Sequence, residues 1–127
     1  IPRPSDSVSR KDLFYSSAIA KKVIKLSQKV VPGATKSPLS EKDWQNIITQ
    51  VIEVYPFLAD RLAAFNLSAA ELRYCYLSLL GLDSIGESIL LHIQPDSVTK
   101  RRQRVRHRLG IIAKELDLCA YLINSEQ

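Results

Sequence analysis

The stretch from Ser97 to Gly110 (SVTKRRQRVRHRLG) carries six Lys or Arg residues and is the part of the chain best suited to bind a charged ligand. At about 100° per residue in a helix, Val98, Val105 and Leu109 fall within about 40° of one another and predict the face that packs against the rest of the protein. The opposite face is polar: Asp96, Thr99, Lys100, Gln103, Arg104 and His107. This pattern indicates a helix that meets a polyanion, and the alternative is a basic face that only keeps the helix solvated.

The preceding residues predict that this helix is the second of a pair. A short helix from about Asp83 to Leu91 is followed, after three to four residues, by Pro95 at the first turn of the basic helix. This is the spacing of a helix-turn-helix. Upstream, Ser68 and Glu71 form a capping-box pattern that starts a further helix, and Gly81 has the type expected just beyond its end.

The first half of the chain predicts three further segments. Residues 1–10, which contain two prolines and several serines, are expected to be disordered. Residues 11–31 predict one helix, and residues 32–39, which begin with Pro32 and Gly33, predict a linker. Ser40 and an acidic first turn predict the start of a helix that Pro56 ends or kinks. Apolar residues mark the inner face of that helix and its continuation: Trp44, Ile47, Ile48, Val51, Ile52, Tyr55, Phe57, Leu58, Leu62 and Phe65.

Two helices offer surfaces for a second copy of the chain. Ile19, Val23, Leu26 and Val30 are spaced by four, three and four residues, which is compatible with a short coiled coil or with simple packing inside the domain. Beyond Gly110, apolar residues outline a last helix that either caps the domain or pairs with a second copy: Ile112, Leu116, Leu118, Cys119, Tyr121 and Leu122.

Composition favours an all-α helical bundle. The chain has 127 residues, 46% of them hydrophobic, with four glycines, six prolines and few alternating runs of the kind strands show. The formal net charge is +5, which favours an acidic partner. We expect residues 40–66 to support a helix-turn-helix domain of residues 67–127.

Enzyme, metal and membrane functions find little support in the sequence. No phosphate-binding glycine loop, zinc spacing or convincing catalytic set is present, so we expect no enzymatic activity, no cofactor and no metal. Cys75 and Cys119 sit in apolar helical surroundings and predict reduced thiols in a cytoplasmic protein. The lack of methionine and the start at Ile1 suggest a part of a longer chain, which could be a larger membrane-anchored regulator.

Residues 67–111 resemble a LuxR-type (GerE-like) helix-turn-helix domain. Five elements carry the resemblance: Leu67-Ser68-x-x-Glu71, Gly81-Leu82, Ile93, Ser97-Val98 and Arg108-Leu109-Gly110-Ile111. The stretches 44–62 and 118–122 are similar to the C-terminal output region of transcriptional regulators from Bacteroidetes. The resemblance implies a DNA-binding regulator, winged-helix-like in superfamily, that acts as a homodimer on double-stranded DNA and contacts RNA polymerase.

The chain departs from that family's pattern at two places. Glu87-Ser88, after Gly86, stands where the family usually has Ile-Ala, and Gln94 replaces the usual Ser or Thr cap of the second helix. Gly86 weakens a helix and Gln94 caps one less well. These departures bear on the docking angle of the basic helix, and they leave room for a protein-protein adaptor that contacts the transcription machinery.

Helical position and the resemblance together assign roles on the basic helix. Thr99, Lys100 and Gln103 are the candidates for contact with base edges in the major groove. The candidates for phosphate contact are Arg101, Arg104, Arg106, His107 and Arg108, with an exposed surface histidine as the other interpretation of His107. Arg102 points toward the packed side, where we expect it to pair with a carboxylate such as Glu71.

A membrane-surface module is the third hypothesis. Lys21, Lys22, Lys25 and Lys29 accompany apolar residues on the first helix, a pattern that amphipathic surface helices also show. We expect no direct membrane binding of this chain.

Overall fold

Helices make up all of the regular secondary structure in the residues that a computed structural model describes, which are 10–30, 32–111 and 118–124. The all-α prediction is therefore confirmed. In chain order the helices are α1 Arg10–Tyr15, α2 Ala18–Ser27, α3 Glu41–Val54, α4 Pro56–Ala64, α5 Ala69–Ser78, α6 Ser84–Leu91, α7 Pro95–Arg108 and α8 Leu118–Asn124. None of these helices is long and apolar enough to cross a membrane.

The prediction of a single helix over residues 11–31 is wrong, because two helices, α1 and α2, occupy this stretch. Ser17 separates them: its backbone is extended, its hydroxyl accepts the Ala20 N–H at 3.3 Å and donates to the Phe14 carbonyl at 2.6 Å. A serine in this position offers the backbone a capping arrangement in place of helix continuation. The predicted disorder falls on residues 1–9, which lie outside the described residues, and on Arg10, which begins α1.

The face of α2 considered for a coiled coil packs inside the protein. Val23 is fully buried, and Ile19 and Leu26 pack against the same core. Val30 lies beyond the end of α2 and is 72% exposed. Packing within the domain is thus the alternative that Ile19, Val23 and Leu26 adopt in the structure.

Helix α3 begins after Ser40 and ends just before Pro56, as the sequence predicts. Ser40 and Asp43 form a reciprocal capping box at the start of α3, and Pro56 is the first residue of α4. The buried face is narrower than predicted, since Ile52 and Phe57 are exposed.

Helix α6 lies between α2 and α7 and contacts both. Gly86 is buried on the α2 side, where an added Cβ would lie 3.4 Å from Ser27 Cβ and 3.1 Å from Asp83 Oδ1. A glycine in mid-helix usually costs about 1 kcal/mol. The closer contact is with Asp83, which caps α6 by accepting the Gly86 N–H at 2.7 Å, so a side chain at position 86 would crowd this cap.

The last helix, α8, packs against α5, with Leu118 and Leu122 buried. The sequence predicted that this helix either caps the domain or pairs with a second copy. Leu118 and Leu122 pack within the domain, as the first role requires. Ile112 and Leu116, which the sequence assigned to the same helix, lie outside the described residues.

Candidate nucleic-acid interface

A three-residue turn, residues 92–94, joins α6 to α7. The chain turns at His92, which adopts a left-handed conformation with φ of 54°, and the Ile93 N–H then donates to the Ser88 carbonyl at 3.1 Å. Gln94 occupies the N-cap position of α7 without a side-chain hydrogen bond, and Pro95 follows as the first helical residue. The turn therefore sets the direction of α7 through backbone geometry, without a capping side chain.

The packed face of α7 is the predicted one. Val98 and Val105 are fully buried, and Leu109 is nearly so. These three residues join the core that α5 and α6 share with α7. Burying this stripe leaves the opposite side of the helix toward solvent.

The three predicted base-contact residues, Thr99, Lys100 and Gln103, are all exposed on α7. Lys100 and Gln103 line one shallow groove on the surface of the helix, together with Arg104, His107 and Arg108. Thr99 lies one turn after Pro95, and its hydroxyl donates to the Pro95 carbonyl at 3.4 Å, a long and weak contact. The exposed face thus combines positive charge with groups that can donate or accept hydrogen bonds.

Arg101 and Arg106, predicted as phosphate contacts, flank this face and are half-buried. Arg104 and His107 are exposed. Of the five predicted phosphate-contact residues, Arg104 and His107 are thus on the exposed face and Arg101 and Arg106 are along its edges; the fifth, Arg108, is described below.

Arg102 turns inward, as predicted, but its partner is Glu87 of α6 and not Glu71. The Arg102 Nη2 atom lies 2.9 Å from Glu87 Oε1 and also donates to Ser84 Oγ at 3.2 Å. Its Nε donates at 2.7 Å to the hydroxyl of Tyr74 on α5, and that hydroxyl lies 3.2 Å from Glu87 Oε1. One guanidinium thus ties α7 to both α5 and α6.

The Glu87 carboxylate is the buried charge of this group, which we call the Tyr74–Glu87–Arg102 cluster. Its side chain is 2% exposed, against 35% for Arg102. Burial raises the pKa of Glu87 above its usual value, and the hydrogen bond from Arg102 opposes that rise. Burial likewise raises the pKa of Tyr74, with the neighbouring Glu87 charge adding to the effect. The cluster therefore needs all three partners, because each alone would be a poorly solvated polar group.

Arg108, predicted as a phosphate contact, forms an ion pair within the protein. Its Nε lies 2.9 Å from Glu71 Oε2, and its Nη1 donates to the Asn66 carbonyl at 3.1 Å. Glu71 in turn closes the predicted capping box with Ser68, whose backbone N–H donates to Oε1 at 2.9 Å. The hydrogen bond from that backbone N–H, more than Arg108, holds the pKa of Glu71 below its usual value. Arg108 is thus better placed to fix the end of α7 than to contact a phosphate.

Sequence reasoning missed Glu87 and Tyr74 as partners of α7. The signal was present in the departure at Glu87, because a carboxylate at a usually apolar position on a packed helix requires a nearby cation. Arg102 was the one cation of the run that pointed inward. Combining these two observations would have predicted the ion pair between Glu87 and Arg102.

No family model, curated protein or solved structure matches this chain. What α7 does must therefore be argued from its geometry. Among the described residues no group of three or more His, Cys, Asp or Glu side chains could hold a metal ion. The exposed face of α7 is left as the candidate functional surface, held in position by the Tyr74–Glu87–Arg102 cluster at its centre and by Arg108 at its end.

Proposed function

We propose that the chain is a DNA-binding domain of a transcriptional regulator, in which α6 and α7 act as a helix-turn-helix and α7 enters the major groove of double-stranded DNA. The observation that supports this most directly is the division of α7 into two sides. One side is fixed by buried apolar residues and the inward Arg102, and the other exposes Lys100, Gln103 and Arg104. An α-helix of about 10–12 Å diameter fits the major groove.

In this proposal Thr99, Lys100 and Gln103 contact base edges. A lysine ammonium pairs with guanine O6 or N7, and a glutamine amide pairs with adenine N6 and N7. Arg104 and Arg101 neutralise phosphates and supply affinity that depends on salt. Arg108 and Arg102 contribute indirectly, because they hold the helix at a constant angle to its neighbours.

Titration of a labelled duplex at two salt concentrations tests the proposal. Two phosphate contacts, from Arg101 and Arg104, give a slope of about −1.8 for log K against log salt, or about a 12-fold loss between 50 and 200 mM. Binding that is absent, or that does not change with salt, would contradict DNA binding and favour the adaptor alternative. The mass of the complex shows whether one copy or two occupy each duplex.

Single charge removals make the test specific. Arg104→Gln should lower the magnitude of the salt slope by about 0.9, the share of one phosphate contact. Arg108→Gln should leave the slope unchanged, because Arg108 is held by Glu71 and Asn66. Arg61→Gln, on the exposed surface of α4, is the matched control for loss of one positive charge away from α7.

A further inference from the structure

A second surface, separate from the exposed face of α7, has the features of a protein-binding groove. It lies between the loop that follows α2 and the end of α6, and has a volume of about 650 Å³. Apolar side chains line it, contributed by the loop at Val30, Pro32 and Pro38 and by α6 at Ile89. An apolar concavity open to solvent is unusual on a protein surface unless something covers it.

The groove has a defined shape because its loop is attached to α6. The Ser37 hydroxyl donates to the Leu90 carbonyl and accepts the Leu39 N–H at 3.1 Å. Leu39, which follows directly, is buried in the core. One hydrogen bond therefore attaches the loop to α6, a second lies within the loop, and the buried Leu39 side chain anchors the loop to the core.

The apolar surface continues past the groove. Ile85 is 63% exposed and stands one helical turn before Ile89, so the two side chains share a face of α6. Val30, at 72% exposed, is the most exposed of the large apolar side chains in the described residues. Apolar surface thus extends along α6 on one side and along the loop on the other.

The rim of the groove is cationic. Lys29 and Lys36 line it, and none of its described lining residues is an aspartate or glutamate. Lys21 and Lys25 lie four residues apart on α2, about 6 Å along its axis, and Lys29 follows just beyond the end of the helix. All of these lysines are exposed, whereas Lys22 is paired with Asp43 at 2.7 Å.

We propose that this groove binds an acidic amphipathic helix of a partner protein. Apolar side chains at one-turn intervals on such a helix would fill the floor, and its carboxylates would meet Lys29 and Lys36 at the rim. DNA fits less well, because its phosphates would lie against Val30, Pro32, Pro38 and Ile89. The groove therefore gives the domain a protein-binding surface in addition to α7, and the argument for it does not depend on what α7 binds.

Fluorescence anisotropy with a labelled 16-residue peptide tests this inference. The probe carries Leu and Phe at helical one-turn spacing and Glu at the remaining positions, and its matched control replaces every Glu by Lys. The acidic peptide should bind saturably and the basic peptide should not. Val30→Asp and the double variant Lys29→Glu with Lys36→Glu should each weaken binding by at least about tenfold.

Ile52→Asp is the control variant, because it places the same charge on an exposed apolar residue of α3 outside the groove. It should bind the peptide like the unaltered chain, and Val30→Asp should keep the unaltered affinity for duplex DNA. Equal binding of the acidic and basic peptides, or an unchanged affinity in Val30→Asp, would overturn the inference. So would competition by duplex DNA for the peptide site. A lipid partner would give a different result. The unaltered chain would then sediment with phosphatidylglycerol vesicles, Val30→Asp would not, and neither would bind the peptide; this outcome would assign the groove to lipid instead.

Discussion

Replacing the Tyr74–Glu87–Arg102 cluster one residue at a time should cost far more stability than replacing it as a whole. In Arg102→Met the Glu87 carboxylate, 2% exposed, loses its cationic partner. Removing one member of a buried ion pair typically costs 3–5 kcal/mol, and the partial exposure of Arg102 places the expected loss near the lower end, at about 3 kcal/mol. Glu87→Leu, which leaves a better solvated cation and the Tyr74 hydroxyl without an acceptor, should cost about 2–3 kcal/mol.

The combined variant Tyr74→Phe, Glu87→Leu, Arg102→Met removes every polar group of the cluster together. Apolar replacement of a whole buried ionic group is often neutral or stabilising, so its free energy of unfolding should lie within about 1 kcal/mol of the unaltered chain. If the three substitutions acted independently, and Tyr74→Phe alone cost about 1 kcal/mol, their losses would instead sum to roughly 6–7 kcal/mol. A loss of that size would unfold many domains of this length.

Urea denaturation followed by far-ultraviolet circular dichroism at pH 7 measures all four variants. A combined loss equal to the sum of the single losses would refute the coupling argued from these contacts.

The pH dependence of the stability of Arg102→Met gives a second check. Because the pKa of Glu87 is already raised, the carboxylate in Arg102→Met should take up a proton as the pH falls, and the stability deficit of that variant should shrink as the pH falls from 7 toward the ordinary carboxyl pKa of about 4.3. A deficit that does not change with pH would mean that Glu87 is not the stranded charge.

Three further predictions concern single residues. The pKa of Glu71 is lowered in the folded protein, so its ionised form stabilises the fold above the usual carboxyl pKa of about 4.3, and this contribution disappears as the pH falls through the folded value. Glu71→Gln should therefore be about 1 kcal/mol less stable than the unaltered chain at pH 7, measured by urea unfolding. The difference should shrink as the pH falls below about 4.3, and a difference that stays constant would contradict the assignment. His92→Gly should raise the free energy of unfolding by about 0.5–1 kcal/mol, since glycine adopts the left-handed conformation at φ 54° without the usual strain, and an unchanged or lower melting temperature would count against it. Ser40→Ala should lower the free energy of unfolding by about 1 kcal/mol, because it removes the cap of α3. The control Gln45→Ala, on the exposed side of the same helix, should change it very little, and equal losses in the two variants would show that the cap is not responsible.

Local features of the fold were predictable where a residue type imposes its own backbone geometry. Ser40 and Ser68 start helices because their hydroxyls accept N–H groups of the first turn, and Pro56 and Pro95 start helices because they need no N–H partner. Gly81 adopts the left-handed conformation expected of it, with φ of 65°. Each of these signals depends only on near neighbours in the chain.

Features that depend on distant neighbours were harder to predict. The helical wheel gave the direction of Arg102 correctly, but a wheel describes one helix and does not show which carboxylate lies opposite. It also placed Arg108 at the edge of α7 without showing that Glu71 would reach it. The break between α1 and α2 was missed for a related reason: the apolar spacing of residues 19–30 was extended upstream across Ser17, whose capping bond competes with helix continuation.

The two oxygens of Glu71 connect parts of the chain that are far apart in sequence. Oε1 holds the first turn of α5 through Ser68, and Oε2 holds the end of α7 through Arg108. Because one carboxylate serves both, the two helix ends should open together in local unfolding and exchange their amide hydrogens as one cooperative unit. Any ligand that orders the end of α7 would then also slow hydrogen exchange at the start of α5, a segment that it does not touch.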